Sequence, residues 1–343
     1  TAGATLAYTE NGSAAIIDNT ITISDVDDIE LSGGTVIISS GYFSGDVLAF
    51  SSQNGISGSF NSSTGVLTIS GTATLSNYQT ALRSITFNST SEDPTITASN
   101  RTLTWVVTDA NSDGAGSETS SGVTSTINIT ALSDTPVVTA GATLAYTENE
   151  TATVIDNTIN ISDPDDSHLA GGTVTISSGF TTGDTLTLTT QNGISGTYDS
   201  STGVLTISGT ASLSEYETAL QSITYHSTSE DPTITSVNRT ITWTVTDANS
   251  DEAGAGTSEG VTSTINITPE TDIPVMSAGA TLSYTENETA AVIDDTITIT
   301  DDDDIEIDGG TVTITSGFTT GDTLTLTTQN GISGTYDSST GVL

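Results

Sequence analysis

Residues 102–109 read TLTWVVTD: Leu103, Trp105 and Val107 alternate with Thr and Val, and ANSDG follows at residues 110–114. Apolar side chains at every second position predict a β-strand with one buried and one wet face. The Asp- and Gly-rich residues directly after it predict a turn. The same pattern recurs in Leu6 and Tyr8, Ile21 and Ile23, Val36 and Ile38, Leu48 and Phe50, Leu67 and Ile69, and Ile127 and Ile129. Asn54-Gly55 and the SSTG ending at Gly65 mark turns between such runs. Many short strands joined by Gly-rich turns predict an all-β chain of antiparallel β-sandwiches, with Trp105 and Trp243 as core anchors. One stretch departs from the period of two. In LSNYQTALRSI, residues 75–85, Leu75, Tyr78, Leu82 and Ile85 are spaced by three and four, which predicts one short helix per unit. Ser76 with Gln79, and Ser214 with Glu217, read as capping boxes.

Outward from this strand, the chain repeats itself. TAGATLAYTEN at Thr1 recurs at Thr139 and, as SAGATLSYTEN, at Ser277, a period of 138 residues. NGISG recurs at Asn54, Asn192 and Asn330. A unit of that length is an ordinary domain size, able to bury its own core. The expected organisation is residues 1–138 and 139–276 as two whole units, with 277–343 as the first half of a third. A chain that ended there would expose unpaired strand edges open to strand donation from a neighbour.

Charge narrows the partners. The 343 residues carry 43 acids against three cationic side chains, Arg83, Arg101 and Arg239, for a net charge of -40. Such a surface repels nucleic acid and anionic membranes, and leaves cations as the natural partners. Cysteine is absent, so disulfides, thiolate catalysis and sulfur-ligated zinc are excluded. No apolar run reaches the roughly 20 residues that cross a bilayer, so no membrane insertion is expected. The N-terminus lacks a signal-peptide pattern, so an export signal would lie outside this segment.

Acids kept for a shared task should hold their place from unit to unit. Glu10, Asp18, Asp25, Asp27, Asp28 and Asp46 have acidic counterparts at Glu148, Asp156, Asp163, Asp165, Asp166 and Asp184. The third unit repeats them at Glu286, Asp294, Asp301, Asp303, Asp304 and Asp322. Carboxylates crowded as in SDVDDIE, residues 24–30, repel one another unless a cation bridges them. Oxygen-only ligands in flexible loops suit calcium, whereas zinc would want His or Cys, and neither His168 nor His226 recurs. A second cluster, Asp109, Asn111 and Asp113, spells D-x-N-x-D-G, the front half of a calcium loop; Asp247, Asn249 and Asp251 repeat it. No acid stands at the twelfth position, where Ser120 and Ser258 sit, so an EF-hand is not expected.

YTEN at Tyr8, SDVDD, VVTDANSDG and then SDTPVV from Ser133 resemble, in that order, the calcium motifs of cadherin repeats. NGISGSF, STGVLTISGTA and YQTALRSITF add a resemblance to the cadherin-like repeats of large bacterial surface adhesins. The resemblance implies calcium ions at junctions between units, which stiffen the string. At the first junction it implies ligands from Glu10 and Asp134 with Asp163, Asp165 and Asp247. At the second it implies Glu148 and Asp272 with Asp301 and Asp303. The linker offers a single Asp, and the family's D-R-E motif has no match near Arg83, so sites within each unit stay open as the alternative.

The function this implies is a calcium-stiffened extracellular spacer of an adhesin or surface fibre, whose partners are calcium, neighbouring repeats and like chains. A self-assembling filament or surface-layer subunit is the second reading, and a carbohydrate-binding module a third. An enzyme is not expected: a Ser-His-Asp site needs a recurring His, and carboxylates repeated in every unit suit a structural ion better than a single cleft.

Overall fold

The computed structural model describes residues 1–250 and 252–343, and the chain forms two compact units, Thr1–Thr268 and Pro269–Leu343. The first unit holds two sandwiches of the same design. In the first sandwich the strands are β1 (Thr5–Thr9), β2 (Ala15–Ile16), β3 (Glu30–Ser40), β4 (Asp46–Ala49), β5 (Ser57–Asn61) and β6 (Val66–Thr74). Helix α1 (Leu75–Leu82) follows, then β7 (Thr86–Ser89), β8 (Asn100–Asp109) and β9 (Val123–Thr130). A six-stranded sheet in the order β1-β9-β8-β3-β6-β5 faces a three-stranded sheet β2-β7-β4. Pairing is antiparallel throughout except between β1 and β9, which run parallel with Leu6 opposite Ile127 and Tyr8 opposite Ile129. The antiparallel expectation is corrected at that pair and at its counterpart in the second sandwich: the first and last strands of each sheet run the same way and meet side by side.

The alternation seen in the sequence becomes the core. Leu103 and Trp105 of β8, Val36 and Ile38 of β3, Leu67 and Ile69 of β6 and Ile127 of β9 are all buried. Fully burying side chains of this kind contributes roughly 1.5–3 kcal/mol each. Gly34 sits where β3 and β8 approach too closely for a side chain, since a Cβ there would lie 2.4 Å from the Val106 carbonyl oxygen. Helix α1 closes one end with Tyr78, Ala81 and Leu82 buried.

The second sandwich repeats this with β11 (Thr143–Thr147), β12 (Thr153–Val154), β14 (His168–Ser178), β15 (Asp184–Thr187), β16 (Ser195–Asp199), β17 (Val204–Ser212), α2 (Leu213–Gln221), β18 (Thr224–Ser227), β19 (Asn238–Asp247) and β20 (Val261–Thr268). Two further strands, β10 (Val137–Thr139) and β13 (Asn160–Ser162), pair antiparallel, with Val138 opposite Ile161. Strand β10 grows directly out of the linker, so the first residues after SDTP already belong to the second sandwich. In the Pro269–Leu343 unit the strands among the described residues are β21 (Val275–Ser277) and β22 (Thr298–Thr300), which pair with each other.

The helix starts differ from the capping boxes predicted at Ser76–Gln79 and Ser214–Glu217. The N-caps are Thr74, which accepts from the Asn77 amide, and Ser212, which forms a full capping box with Glu215. Gln79 and Glu217 instead reach across to the sheet, accepting from the amides of Ile23 (3.2 Å) and Ile161 (2.8 Å). The error is two residues: an S-x-x-E/Q pattern fits two registers, and the long side chain one half-turn further in serves tertiary structure.

Candidate metal centre

Two of the recurring acids belong to the scaffold. Asp18 accepts hydrogen bonds from the amides of Gly3, Ala4 and Thr20 and from the hydroxyls of Thr20 and Ser125, all within 2.6–3.0 Å. Ser125 in turn accepts from the Trp105 indole N–H at 3.0 Å, so the acid ties the first strand to the buried ring. Asp156 repeats the arrangement through Ser263 and Trp243. Burial alone would raise these carboxyls, but the converging donors outweigh it and hold both well below the usual carboxylate range. Asp46 forms a fully buried, bidentate ion pair with Arg101, at 2.6 and 3.3 Å, and Asp184 does the same with Arg239. Arg101 also donates to the carbonyls of Pro94 and Ala98, each at 2.7 Å. It thereby fixes the loop after β7 that carries Glu92 and Asp93.

The remaining recurring acids converge. In all three units the first Asp of the D-x-D-D turn accepts from the amides two and three residues on: Asp25 from Asp27 and Asp28, Asp163 from Asp165 and Asp166, Asp301 from Asp303 and Asp304. This Asx-type turn packs three carboxylates side by side. Carboxylate oxygens of Asp25, Asp27 and Asp28 lie within 4.8 Å of one another, as do those of Asp301, Asp303 and Asp304. The amides of Asp27 and Asp28 lower Asp25, while sharing a proton with Asp25 raises Asp27.

At the boundary between the two sandwiches the crowding is greatest and driest. Glu10, 3% exposed at the end of β1, has carboxylate oxygens within 4.8 Å of those of Glu92 and Asp134. The Asp134 amide donates to Asp165 Oδ2 at 2.7 Å, which brings the linker onto the D-x-D-D turn of the second sandwich. Asp247, fully buried, feels both Asp165 and Asp166. Glu10 is pushed up to about 7 by burial, against the Leu132 amide and aided by Asp134, Asp165 and Asp93. Asp163 is likewise pushed up to about 7, first by burial and then by Asp165. Each such pair repels by roughly 1 kcal/mol in water and several times that at a protein surface. Glu10 Oε1, Asp163 Oδ2, Asp165 Oδ1 and Asp166 Oδ2 are buried without any hydrogen-bond partner. Buried oxygens are normally satisfied, so a bare oxygen on Glu10 and three more on the turn of Asp165, whose charge acts on Glu10, fit a cation.

The sequence-predicted residues divide as follows. At the first boundary Glu10 neighbours Asp134, whose amide reaches Asp165, and the turn of Asp165 also carries Asp163 and Asp166 and acts on Asp247. Asp25, Asp27, Asp28, Asp109 and Asp113 line an open cavity of about 280 Å³ on the first sandwich. Asn111 and Asn249 cap their own loops, accepting from the amides of Gly116 (2.7 Å) and Gly254 (2.6 Å). Asp28 and Asp166 each bind the amide and hydroxyl of a loop serine, Ser112 and Ser250. Glu148 is buried at the end of β11, the counterpart of Glu10. In the Pro269–Leu343 unit the Asp272 amide meets Asp303 Oδ2 at 3.1 Å, Asp272 Oδ2 and Asp303 Oδ1 are buried and bare, and Glu286 is exposed. Asp251 lies outside the described residues. Sequence reading missed Glu92 and Asp93, although SEDPTIT recurs at residues 91–97 and 229–235 and so carried the signal.

No protein-family model matches the chain. Halomucin of Haloquadratum walsbyi is 28% identical over 372 residues, an alignment covering 98% of this chain and 4% of that protein's length. Solved structures that align with it include human CDH23 EC21-23, at 15% identity, TM-score 0.31, over 89% of this chain and 84% of that one. Mouse Cadherin-23 EC22-24 aligns at 14% identity, TM-score 0.29, over 89% and 76%. Human Protocadherin-24 EC1-2 aligns at 10% identity, TM-score 0.28, over 78% and 95%. Superpositions this loose bear on neither ligands nor function.

Proposed function

We propose that the chain is a run of extracellular spacer repeats, units 1–138 and 139–276 followed by the first half of a third, in which calcium bridges successive sandwiches and makes the string stiff. The observation that carries this reading is the set of bare, buried carboxylate oxygens on Glu10, Asp163, Asp165 and Asp166, with Asp134 of the linker between them. Their donors are all oxygen and come from both sandwiches and the linker, the ligand type that calcium takes, with water free to complete its six to eight oxygens. His168 and His226 lie outside the acid clusters, which argues against zinc. With the ion in place the same charges that repel would hold the two sandwiches at a fixed angle. Its absence would leave the boundary a hinge.

Stiff repeats serve a surface adhesin or fibre by projecting a tip or bearing force, and the resemblance between this chain and a stretch of halomucin supports a surface setting. Among the described residues no helix is long and apolar enough to cross a membrane. The role is structural, not catalytic. Small-angle X-ray scattering of the full chain tests the stiffness. Calcium should narrow the distribution of interdomain distances and lengthen its maximum, and chelator should broaden it. Identical profiles in both conditions would remove the mechanism.

A further inference from the structure

The acid clusters sit in loops, whereas the outer face of the six-stranded sheet of the first sandwich is neutral at its centre. One row across that face runs from Ser59 through Thr68 and Thr35 to Val106. The next runs through Val66 and Ile37 to Thr104 and Thr124. Neither row holds a charged side chain, in a chain with 43 acids. Strands disfavour Asp and Glu, so neutrality alone is ordinary. The apolar centre is not: Ile37, Val66 and Val106 stand on the adjacent strands β3, β6 and β8, point outward and are only half-buried. On the second sandwich the same positions are Thr175, Val204 and Thr244, and the Thr244 hydroxyl pairs with that of Thr173 at 2.8 Å. The second face is thus satisfied by its own hydroxyls, while the first leaves a patch of apolar surface in water.

We propose that this face is a lateral contact between two copies of the chain, first sandwich against first sandwich, with Ile37, Val66 and Val106 meeting their own counterparts across a two-fold axis. Charge selects the occupant. Two chains of net charge -40 repel wherever their acidic loops meet, so a second copy approaches most closely through a neutral face. Sheets pack face to face about 10 Å apart with their strands roughly 30° off parallel, a geometry that β-branched side chains fill. Threonine hydroxyls around the apolar centre both donate and accept, so they pair with their own kind. Six strands spaced about 4.8 Å apart and four rows deep cover roughly 500 Å² per copy. A symmetric pair therefore buries about 1,000 Å², the lower limit of a specific interface, and the association is weak and reversible. Salt strengthens it by screening the net charge. None of the contact residues is an acid, so the pairing stands apart from the cation reading. It would let stiff repeats run side by side in register.

The test is sedimentation equilibrium of the full chain in chelator, over a range of protein concentrations, at about 0.05 and about 0.5 M sodium chloride. Expected is a monomer–dimer equilibrium that tightens at the higher salt. Ile37→Thr with Val106→Thr installs the residues that the second sandwich already tolerates, and should weaken the dimer by about tenfold or more. Thr68→Glu, at an exposed position of the same face, should abolish it. The reverse change, Thr175→Ile with Thr244→Val, should give the second sandwich a matching contact and tighten the dimer by about tenfold. A chain that stays monomeric at every concentration and both salts would overturn the proposal, and NMR shifts at Ile37 and Thr68 on adding a neutral glucan to that monomer would assign the face to carbohydrate instead. A dimer that ignores both the Thr pair and Thr68→Glu would place the contact elsewhere and overturn it. So would a dimer that loosens as salt rises, because opposite charges would then be making the contact.

Discussion

The Asp134 amide donates to Asp165 Oδ2 at 2.7 Å, and through that bond the linker of one sandwich reaches the acidic turn of the next. A neutral donor satisfies one oxygen of the pair and leaves the other, Asp165 Oδ1, buried and bare. The boundary is therefore organised by the backbone but left unbalanced in charge, so the proposed reading expects it to respond to cations, to protons and to single carboxylate changes.

Glu10→Gln separates the two roles of a crowded carboxylate. In chelator the variant should melt no lower than the parent, because it removes repulsion from Asp134, Asp165 and Asp93. In calcium its affinity for the ion should fall by on the order of tenfold, since a charged ligand is lost. Paired melting curves and calcium titrations read both effects. A variant equally destabilised in both conditions would mean that Glu10 acts through packing.

Protonation should imitate the cation. Folding raises Glu10 from 4.5, and Asp163 from 3.8, to about 7, so between those limits the folded state binds more protons than the unfolded one. Stability contributed by their protonated forms is present at low pH and lost as pH rises toward 7. In chelator, melting temperature should therefore fall from pH 5 to pH 8, and calcium should flatten that slope. Equal slopes with and without calcium would contradict the assignment.

Acid should act in the opposite direction on the scaffold. Asp18 and Asp156 sit well below their ordinary range because donors converge on the ionised form. Their contribution is complete above about pH 4 and is lost as pH falls further. Asp156→Ala should remove that part of the acid transition in the second sandwich and expose Trp243, read by fluorescence. An unchanged acid midpoint would show the network to be unimportant.

Arg239→Ala should leave the buried Asp184 unpaired and cost about 3–5 kcal/mol, measured by denaturant unfolding. It should also free the loop carbonyls of Pro232 and Ser236, which Arg239 holds at 2.6 Å each. A loss under about 1 kcal/mol would place the pair among surface-like bridges.

Much of this was legible in the sequence because a period of two is read directly from Leu103, Trp105 and Val107. The parallel match of β1 with β9 was not, since side-chain alternation carries no strand direction. Recurrence marked acids that the fold holds in equivalent places but could not sort them. Asp46 looked like Asp25 until Arg101, 55 residues away, was found against it. Glu92 lies 82 residues from Glu10 in the chain, and only the fold brings the two carboxylates together.

Calorimetric melting of the full chain across a calcium titration tests the bridging of successive sandwiches most directly. Saturating calcium at a hundredfold over its dissociation constant should add about 2.7 kcal/mol per site and raise the melting temperature, and chelator should reverse the gain. A melting temperature that ignores calcium throughout the titration would contradict it.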